Sequence, residues 1–426
     1  MGIHQESAAA GGRQMTNIPI NSERLWATLM EMAEIGATEK GGNCRLALTD
    51  LDKQGRDLFI KWCKDAGCTI SIDGIGNIFA QRPGRDPSLP PVMAGSHLDT
   101  QPTGGRFDGV LGVLAGLEVI RTMSDHGVET DAPVEVVCWT NEEGSRFSPS
   151  MMGSGVFAGQ YDITEIRATE DVDGAVLSDE LERIGFAGDA PVGGRDIGAY
   201  FELHIEQGPI LEAEEKTIGV VTAAQGQRWY EITLTGQESH AGPTPMPRRK
   251  DALVAAAKVV QEVNRIGHAH APHACATVGH MQVSPNSRNV IPGSVFLTVD
   301  FRHPSDDTLM KMDEELKSFC ANLLETDKVE SEVVDFMYFP PQPFEENCVD
   351  AVREGAKAAG YSHMDIISGA GHDAVYIADM APVGMIFVPC EEGISHNEIE
   401  NATPEDCAAG CQVLLHAVLE RAEQSS

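Results

Sequence analysis

Four separate segments of the sequence carry histidines and carboxylates that could ligate divalent metal ions. These residues are His97, Asp99 and Asp108 in the first segment, Glu142 and Glu143 in the second, His204 in the third and His396 in the fourth. Imidazole nitrogens and carboxylate oxygens bind ions such as Zn²⁺ and Mn²⁺. Each segment alone has a simpler explanation, but four of them in one chain predict a metal-dependent hydrolytic site.

The first segment combines a strand end with a glycine-rich turn. His97 and Asp99 follow the apolar run 91–96, and residues two apart in a strand share a face. One of the two could therefore bind a metal ion while the other orients it. Asp108 lies in the turn 104–109, and its two carboxylate oxygens could serve two ions. A hydrogen-bonded core histidine is the alternative for His97.

The other three segments each have a catalytic and a structural interpretation. Glu142 and Glu143 end an apolar strand, and consecutive side chains of an extended chain point in opposite directions. This suits one metal ligand and one general base, whereas the alternative is a solvated loop. His204 could be a buried structural histidine, and the amide of Gln207 beyond it suits an amide or ureido group. A helix cap is the alternative for the segment of His396.

A further set of hydrogen-bond donors has no obvious metal function. His240 lies in a proline-rich loop, Asn289 precedes a predicted strand, and Arg302 lies at the end of that same strand. The planar guanidinium of Arg302 can bind a carboxylate through two hydrogen bonds. An intradomain salt bridge is an equally compatible interpretation of Arg302.

Alternating strands and helices predict an α/β fold with a largely parallel sheet around these segments. The predicted strands 91–96 and 134–140 end at candidate ligands, and a predicted helix, 110–122, follows Asp108 directly. Open α/β sheets form their sites at the carboxyl ends of strands. We therefore expect the sheet to bring the segments together.

The element pattern divides the chain into domains. Strands and helices without metal-type residues predict an inserted α+β domain at 217–337. It interrupts a catalytic metal-binding domain made of 21–216 and 338–426. Residues 1–20 are predicted to form a disordered leader that is neither a signal peptide nor an anchor.

Composition excludes several classes of function. The chain has 426 residues, enough for two or three domains. Its formal charge of −34 argues against nucleic acid, which needs clustered Lys and Arg, and against anionic membrane surfaces. The sequence has no apolar run of the ~20 residues that a membrane helix needs. Ten cysteines without a C-x-x-C pattern predict reduced thiols in a cytoplasmic protein.

At these motifs the chain resembles the M20 metallopeptidase-like amidohydrolases. The resemblance is to the branch of hydantoinases and carbamoylases, which includes N-carbamoyl-L-amino acid hydrolases, β-ureidopropionases and allantoate amidohydrolases. The HIEQGP segment separates this branch from relatives with a carboxylate at that metal position. The matching stretches are GSHLDTQPTGGRFDGVLGVLAG, WTNEEGSRFSPSMMGSGVFAG, HIEQGPILE, SHAGPTPMPRRKDA, SRNVIPG, DFRHP, GAGHDA and SHNEIE.

The resemblance implies two divalent metal ions per subunit, Zn²⁺ or Mn²⁺, with Co²⁺ or Ni²⁺ also compatible. The implied ligands are His97, Asp108 and His204 for one ion, and Asp108, Glu143 and His396 for the other. Glu142 would be the general base and Asp99 the partner of His97. Two such ions can lower the pKa of a water molecule and polarise a carbonyl group.

The resemblance also implies how substrate is held. Gln207, His240, Asn289, Arg302 and Gly371 would contact it, and His240 would stabilise the oxyanion. His240 and Asn289 would come from the second subunit of a homodimer formed through the inserted domain, a ferredoxin-like lid.

The implied reaction is hydrolysis of a C–N bond in a small anionic ureido compound. N-carbamoyl-L-amino acids or N-carbamoyl-β-alanine would give the amino acid, CO2 and ammonia. Allantoate amidohydrolase is the nearest alternative, and a small-peptide, aminopeptidase-like hydrolase is a weaker one. A metal-binding protein without catalysis is disfavoured, because a pure binder has no need of the base Glu142.

Overall fold

Two large β-sheets with separate hydrophobic cores, and a two-stranded sheet of Ser239–His240 and Val290–Ile291, organise the computed structural model, which describes residues 18–423. The strands are, in chain order, β1 (Thr69–Ile72), β2 (Ile78–Arg82), β3 (Val92–His97), β4 (Val134–Trp139), β5 (Ala199–Ile205), β6 (Ile218–Ala224), β7 (Gly226–Thr235), β8 (Ser239–His240), β9 (Cys275–Ser284), β10 (Val290–Ile291), β11 (Ser294–His303), β12 (Glu330–Phe339), β13 (Gln342–Pro343), β14 (His363–Ser368) and β15 (Val383–Val388).

Helices cover the two large sheets. The α-helices are α1 (Ser22–Ala33), α2 (Asp50–Asp65), α3 (Val110–Asp125), α4 (Met152–Phe157), α5 (Ile163–Arg167), α6 (Leu177–Ile184), α7 (Ile210–Ala213), α8 (Ala252–Ala269), α9 (Asp306–Thr326), α10 (Glu346–Ala359), α11 (Asp373–Ile377) and α12 (Pro404–Glu423). Two short 3₁₀ turns, Met246–Arg248 and Glu391–Gly393, precede α8 and α12 in the chain.

The larger sheet has nine strands in the order β1-β2-β4-β3-β5-β15-β6-β13, and β14 pairs with β6. Its centre, β4-β3-β5-β15, is parallel, and β2 and β6 pair antiparallel with the two edge strands of this centre. Outside them, β1 pairs antiparallel with β2, and β13 pairs antiparallel with β6. Every residue of the four central strands is buried. Their nearly continuous apolar sequences are typical of parallel strands with both faces covered. The mixed α/β fold with a mostly parallel central sheet agrees with the prediction.

Helices on the larger sheet complete the larger hydrophobic cluster. Helices α3, α10 and α12 pack on the central strands, and α1 packs on α3 and α12. The cluster is the set of buried apolar side chains of this sheet and its helices, among them Leu29, Phe59, Val113, Phe201, Ile386 and Leu414.

The smaller sheet, β12-β7-β11-β9, is antiparallel, and α8 and α9 cover one of its faces. Apolar residues at helical spacing on α8 and α9 meet alternate residues of β7 and β11. The smaller hydrophobic cluster includes Tyr230, Ile232, Leu234, Val259, Val263, Val299, Phe301, Met312 and Leu316.

One boundary of the predicted inserted domain differs from the structure. The prediction includes residues 217–222, but β6 pairs with β14 and β15 in the larger sheet. The smaller sheet begins only at Gly226. An apolar strand buried on both faces belongs in a central position, and this criterion would have assigned β6 to the larger sheet.

The chain start also differs in part from the prediction. Residues 1–17 of the predicted leader lie outside the described residues. Ile18 and Ile20 pack on the larger cluster. The side chain of Gln412 accepts a hydrogen bond from Ile20 N and donates one to Ile18 O, at 3.0 and 2.9 Å. The predicted disorder therefore does not extend to residues 18–20.

All ten cysteines are free thiols, as the sequence predicts. Within residues 18–423, no helix is both long and apolar enough to cross a bilayer.

Candidate metal centre

The carboxyl ends of the central strands bring two groups of potential metal ligands together. In the first ligand group, His97, Asp108 and His204, the donor atoms all lie within 4.8 Å of one another. The same holds for the second ligand group, Asp108, Glu143 and His396. Both groups match the sets that the family resemblance implies.

Asp108 belongs to both groups and turns a different oxygen to each. Its Oδ1 lies 3.1 Å from His204 Nε2 and 3.6 Å from His97 Nε2. Its Oδ2 lies 3.4 Å from His396 Nε2. The geometry therefore suits a carboxylate shared between two ions.

Backbone carbonyl groups orient the two buried histidines. His97 Nδ1 lies 2.8 Å from Asp99 O, and His204 Nδ1 lies 2.9 Å from Ile205 O. A carbonyl oxygen can only accept, so Nδ1 carries the proton and Nε2 faces Asp108.

The backbone oxygen and the carboxylate of Asp99 have different partners. The sequence suggests its side chain as the partner of His97, but only its backbone oxygen makes that contact. The Asp99 carboxylate instead accepts hydrogen bonds from the backbone N–H groups of Glu142 and Glu143, at 3.3 and 3.2 Å. Asp99 therefore links the first segment to the two glutamates.

The two glutamates approach different histidines. Glu142 Oε2 lies 3.4 Å from His97 Nε2, and Glu143 Oε2 lies 3.5 Å from His396 Nε2. Gln101 Nε2 donates a 2.6 Å hydrogen bond to Glu143 Oε2. The expected divergence is present, although the chain is no longer extended here, since Asn141 has a φ of 53°.

Burial and charge shift the pKa values in opposite directions within the site. Burial opposes ionisation of Asp108, but the hydrogen bond from His204 and the nearby histidine charges hold its pKa well below the usual range. Burial likewise lowers the pKa of His204, but the hydrogen bond to Asp108 outweighs it and raises the pKa to about 9. Burial, and then the charges of Asp373 and Glu143, raise the pKa of Glu142 well above that of a free glutamate. A carboxylate with a raised pKa is a better proton acceptor.

Two neutral side chains complete the surroundings of Asp108. Gln207 Nε2 and Ser395 Oγ each lie 2.9 Å from Asp108 Oδ2. Among residues 18–423, the buried Gln207 Oε1 has no hydrogen-bond partner. This leaves an acceptor for an N–H group of a ligand beside the second ligand group.

A third group, Glu202, His204 and His372, has donor atoms equally close together. The Glu202 carboxylate already accepts hydrogen bonds from Ser96 Oγ, Tyr200 Oη and Ala374 N, at 2.7, 3.1 and 2.9 Å. Such a saturated carboxylate is better suited to supporting the buried site than to binding an ion.

His240 and Asn289 lie together, but apart from the ligand groups. β8 pairs with β10 through His240 and Val290, and Ala241 N donates to Asn289 O at 2.9 Å. Both side chains are exposed. In the described part of the chain, neither has a hydrogen bond or ion pair to the two ligand groups.

Arg302 forms the salt bridge that the sequence allows as an alternative. Its Nη2 lies 2.9 Å from Asp300 Oδ2, and its Nη1 donates a 2.9 Å hydrogen bond to Gly369 O. Gly369 follows β14 of the larger sheet, so the side chain spans the two sheets. Arg302 and Gly371 line one cavity together with Met151.

Comparison with known proteins identifies the family. Residues 93–420 match the profile of Peptidase family M20/M25/M40. The chain belongs to this family. The resemblance stated from the sequence motifs is therefore confirmed.

Two enzymes and one solved structure illustrate what the chain is similar to. The chain is 51% identical over 407 residues to an N-carbamoyl-L-amino-acid amidohydrolase from Rhizobium meliloti, covering 96% of this chain and 98% of that protein. It is 32% identical to an allantoate amidohydrolase from Bacillus subtilis, over 90% and 93% of the two chains. A hydantoinase/carbamoylase family amidase from Burkholderia multivorans has a TM-score of 0.93 at 62% identity, over 96% and 100%.

Sequence reasoning about this M20-family chain missed several contacts around the ligands. It did not consider Gln101 or the buried Glu400, and it gave Ser395 no part in holding Asp108. Glu400 belongs to the quoted stretch SHNEIE, where an acid four residues after His396 offers a weak signal. Backbone acceptors such as Ile205 O carry no signal in the sequence, because every residue has one.

Proposed function

We propose that this protein is a metal-dependent amidohydrolase that cleaves the C–N bond of N-carbamoyl amino acids. The observation that carries the proposal is the shared carboxylate: Asp108 turns one oxygen to each of two ligand groups. The relative with 51% identity, an N-carbamoyl-L-amino-acid amidohydrolase, supports the substrate class.

The donor set fits two divalent ions. His97 and His204 would hold one ion with Asp108, and Glu143 and His396 would hold the other. Imidazole and carboxylate ligands without thiolate suit Zn²⁺ or Mn²⁺, and Co²⁺ or Ni²⁺ also fit. When bound, two such ions lower the pKa of a water molecule and polarise the carbonyl group that it attacks.

Glu142 is proposed to move the proton. Its carboxylate takes a proton from the attacking water as the new C–O bond forms at the ureido carbon, and delivers it to the leaving nitrogen. The C–N bond breaks and ammonia departs. The remaining carbamate loses CO2, which leaves the free amino acid.

Gln207 and Arg302 are proposed to hold the two ends of the substrate. The unpaired acceptor Gln207 Oε1 suits an N–H group of the ureido end. Arg302 donates three hydrogen bonds from its five N–H groups to Asp300 and Gly369. One N–H on each Nη remains for the substrate carboxylate. Gly371 lines the same cavity.

A second subunit is proposed to complete the site. His240 and Asn289 lie exposed on the inserted domain, so they are available to a neighbouring copy in a homodimer. There His240 would donate a hydrogen bond to the developing oxyanion.

Ammonia release tests the proposed reaction. We expect turnover of an N-carbamoyl-L-amino acid or N-carbamoyl-β-alanine after reconstitution with Mn²⁺ or Zn²⁺, and loss of turnover after chelation. Turnover that survives complete removal of the metal would refute the metal mechanism. Metal-loaded protein that is inactive on every ureido and amide substrate would indicate a binding protein.

Allantoate amidohydrolase is the second candidate, because a relative with that activity aligns over nearly the whole chain. Its larger diureido substrate uses the same chemistry. Side-by-side assays with allantoate and the two N-carbamoyl substrates distinguish the candidates. A dipeptide panel tests the weaker alternative, a small-peptide aminopeptidase-like hydrolase.

A further inference from the structure

Glu400 is a buried carboxylate beside Asp108 that has no part in the proposed reaction. Its exposed fraction is 2%. The chain makes room for it with a glycine, since a Cβ atom at Gly105 would lie 2.0 Å from the Glu400 carboxyl group. A side chain other than glycine at position 105 would therefore displace Glu400.

The two Glu400 oxygens contact two different segments of the site. Oε1 accepts hydrogen bonds from Phe107 N and Asp108 N, at 3.0 and 3.1 Å. Oε2 lies 2.9 Å from Ser395 Oγ. The same hydroxyl lies 2.9 Å from Asp108 Oδ2, and it can donate its single proton to one of the two carboxylates at a time.

These contacts join the segments that supply the two ligand groups. Asp108 follows Gly104 and Gly105, and glycines leave a loop more freedom than other residues. Ser395 directly precedes His396, whose backbone has a φ of 54°. Glu400 is the one side chain among the described residues that bonds to both the Asp108 backbone and Ser395.

We propose that Glu400 is a positioning residue that fixes the distance between the shared carboxylate of Asp108 and His396. This inference rests on the proposed two-ion centre. Through the backbone of Asp108 and the hydroxyl of Ser395, Glu400 holds the second ligand group in the geometry that an ion requires. Removal of a residue that orients metal ligands typically weakens metal binding roughly 10- to 100-fold.

Mn²⁺ binding to the full-length protein tests this role. Calorimetry gives the affinity of each ion, and electron paramagnetic resonance shows whether two Mn²⁺ ions are magnetically coupled. For Glu400→Ala we expect the second ion to bind roughly 10- to 100-fold more weakly and the coupled signal to be lost. Glu400→Gln should retain both, because its amide oxygen can accept from Phe107 N and Asp108 N.

Glu398→Gln is the matched control in the same segment. Glu398 forms a 3.0 Å ion pair with Lys40 and contacts neither ligand group. We expect its Mn²⁺ affinities and coupled signal to equal those of the unmodified protein. A loss of the second ion in this variant, equal to that in Glu400→Ala, would show a general effect of the segment and overturn the proposal.

The outcomes separate this inference from the proposed function. Unmodified protein that binds fewer than two Mn²⁺ ions contradicts the two-ion centre itself. If it binds two coupled ions and Glu400→Ala does so with equal affinity, the positioning role is wrong. If Glu400→Ala does not fold, Ser395→Ala decides, because it removes only the hydroxyl between the two carboxylates. Unchanged binding in Ser395→Ala would then overturn the proposal.

Discussion

Individual side chains in this site differ in function because their hydrogen-bond partners differ. Glu142 and Glu143 are adjacent in sequence, and both have pKa values raised by burial. Glu143 is held by Gln101 beside His396, whereas Glu142 lies near His97 and accepts no side-chain hydrogen bond among residues 18–423. A glutamate without a fixed partner is the better candidate for moving a proton.

Replacement of the proposed base should slow turnover strongly without loss of metal. We expect Glu142→Gln to lower kcat about 100- to 10,000-fold, since the amide cannot accept the proton. Steady-state kinetics and elemental analysis of the metal content give the two measurements. Glu143→Gln serves as the comparison and should lose metal as well. Full activity of Glu142→Gln would remove Glu142 from the mechanism.

Metal binding should release protons near neutral pH. His204 has a pKa raised to about 9 beside Asp108, so in the metal-free protein it is protonated at neutral pH. An ion requires the neutral imidazole. Calorimetric titration in buffers of different ionisation enthalpy should show at least one proton released. This His204 contribution should disappear as pH rises above about 9, and its absence at neutral pH would contradict the assigned protonation.

Turns between strands and helices set where the ligands lie. β3 ends at His97, and α3 starts at Val110 immediately after the turn that contains Asp108. Gly109 has a φ of 67° and lies against His97, since a Cβ atom there would be 2.3 Å from the ring. Glycine is therefore required at position 109 for two reasons: the positive φ of the backbone and the lack of space for a Cβ atom beside His97.

Gly109→Ala should weaken metal binding at the first ligand group. Backbone strain alone would not have this effect. We expect loss of metal and a lower melting temperature, because the added methyl group displaces His97. Gly127→Ala is the control: Gly127 has a φ of 63° but open space around its Cβ position, so it carries only the left-handed cost of about 1–2 kcal/mol. Equal metal content in the two variants would contradict the packing argument.

The elements that sequence analysis predicts correctly are those with long, clear patterns. The predicted helix 110–122 and strand 134–140 correspond to α3 and β4, which are apolar over most of their length. Helices α4 and α5 are only six and five residues long, too short for a 3.6-residue period to show. The prediction places strand β6 in the inserted domain because β6 and β7 are adjacent in the chain, although they belong to different sheets.

The side chain of Arg302 connects the smaller sheet to the larger one. It lies on β11 and bonds both to Asp300 in its own strand and to Gly369 O beyond β14. A substrate carboxylate held there would therefore contact both parts of the molecule. The sequence identifies Arg302 as a candidate for binding a carboxylate. Its position between the two sheets depends on the tertiary fold.

Arg302→Ala should weaken the binding of carboxylate substrates. Loss of a charge-assisted pair is expected to cost about 1–3 kcal/mol and to raise KM accordingly. A ureido compound without a carboxylate is the control substrate, and its KM should change little. Equal changes for both substrates would indicate a structural role of Arg302 between the two sheets instead of carboxylate recognition.

The two separate hydrophobic clusters have a spectroscopic consequence. Of the four tryptophans, Trp26, Trp62 and Trp139 belong to the larger cluster or pack on it. Trp229 lies on β7 of the smaller sheet, 36% exposed and stacked on Phe336. A Trp229→Phe variant would therefore emit only from the larger cluster. If the two clusters melt independently, its fluorescence midpoint in denaturant will differ from the circular-dichroism midpoint, and no single unfolding free energy will describe the chain.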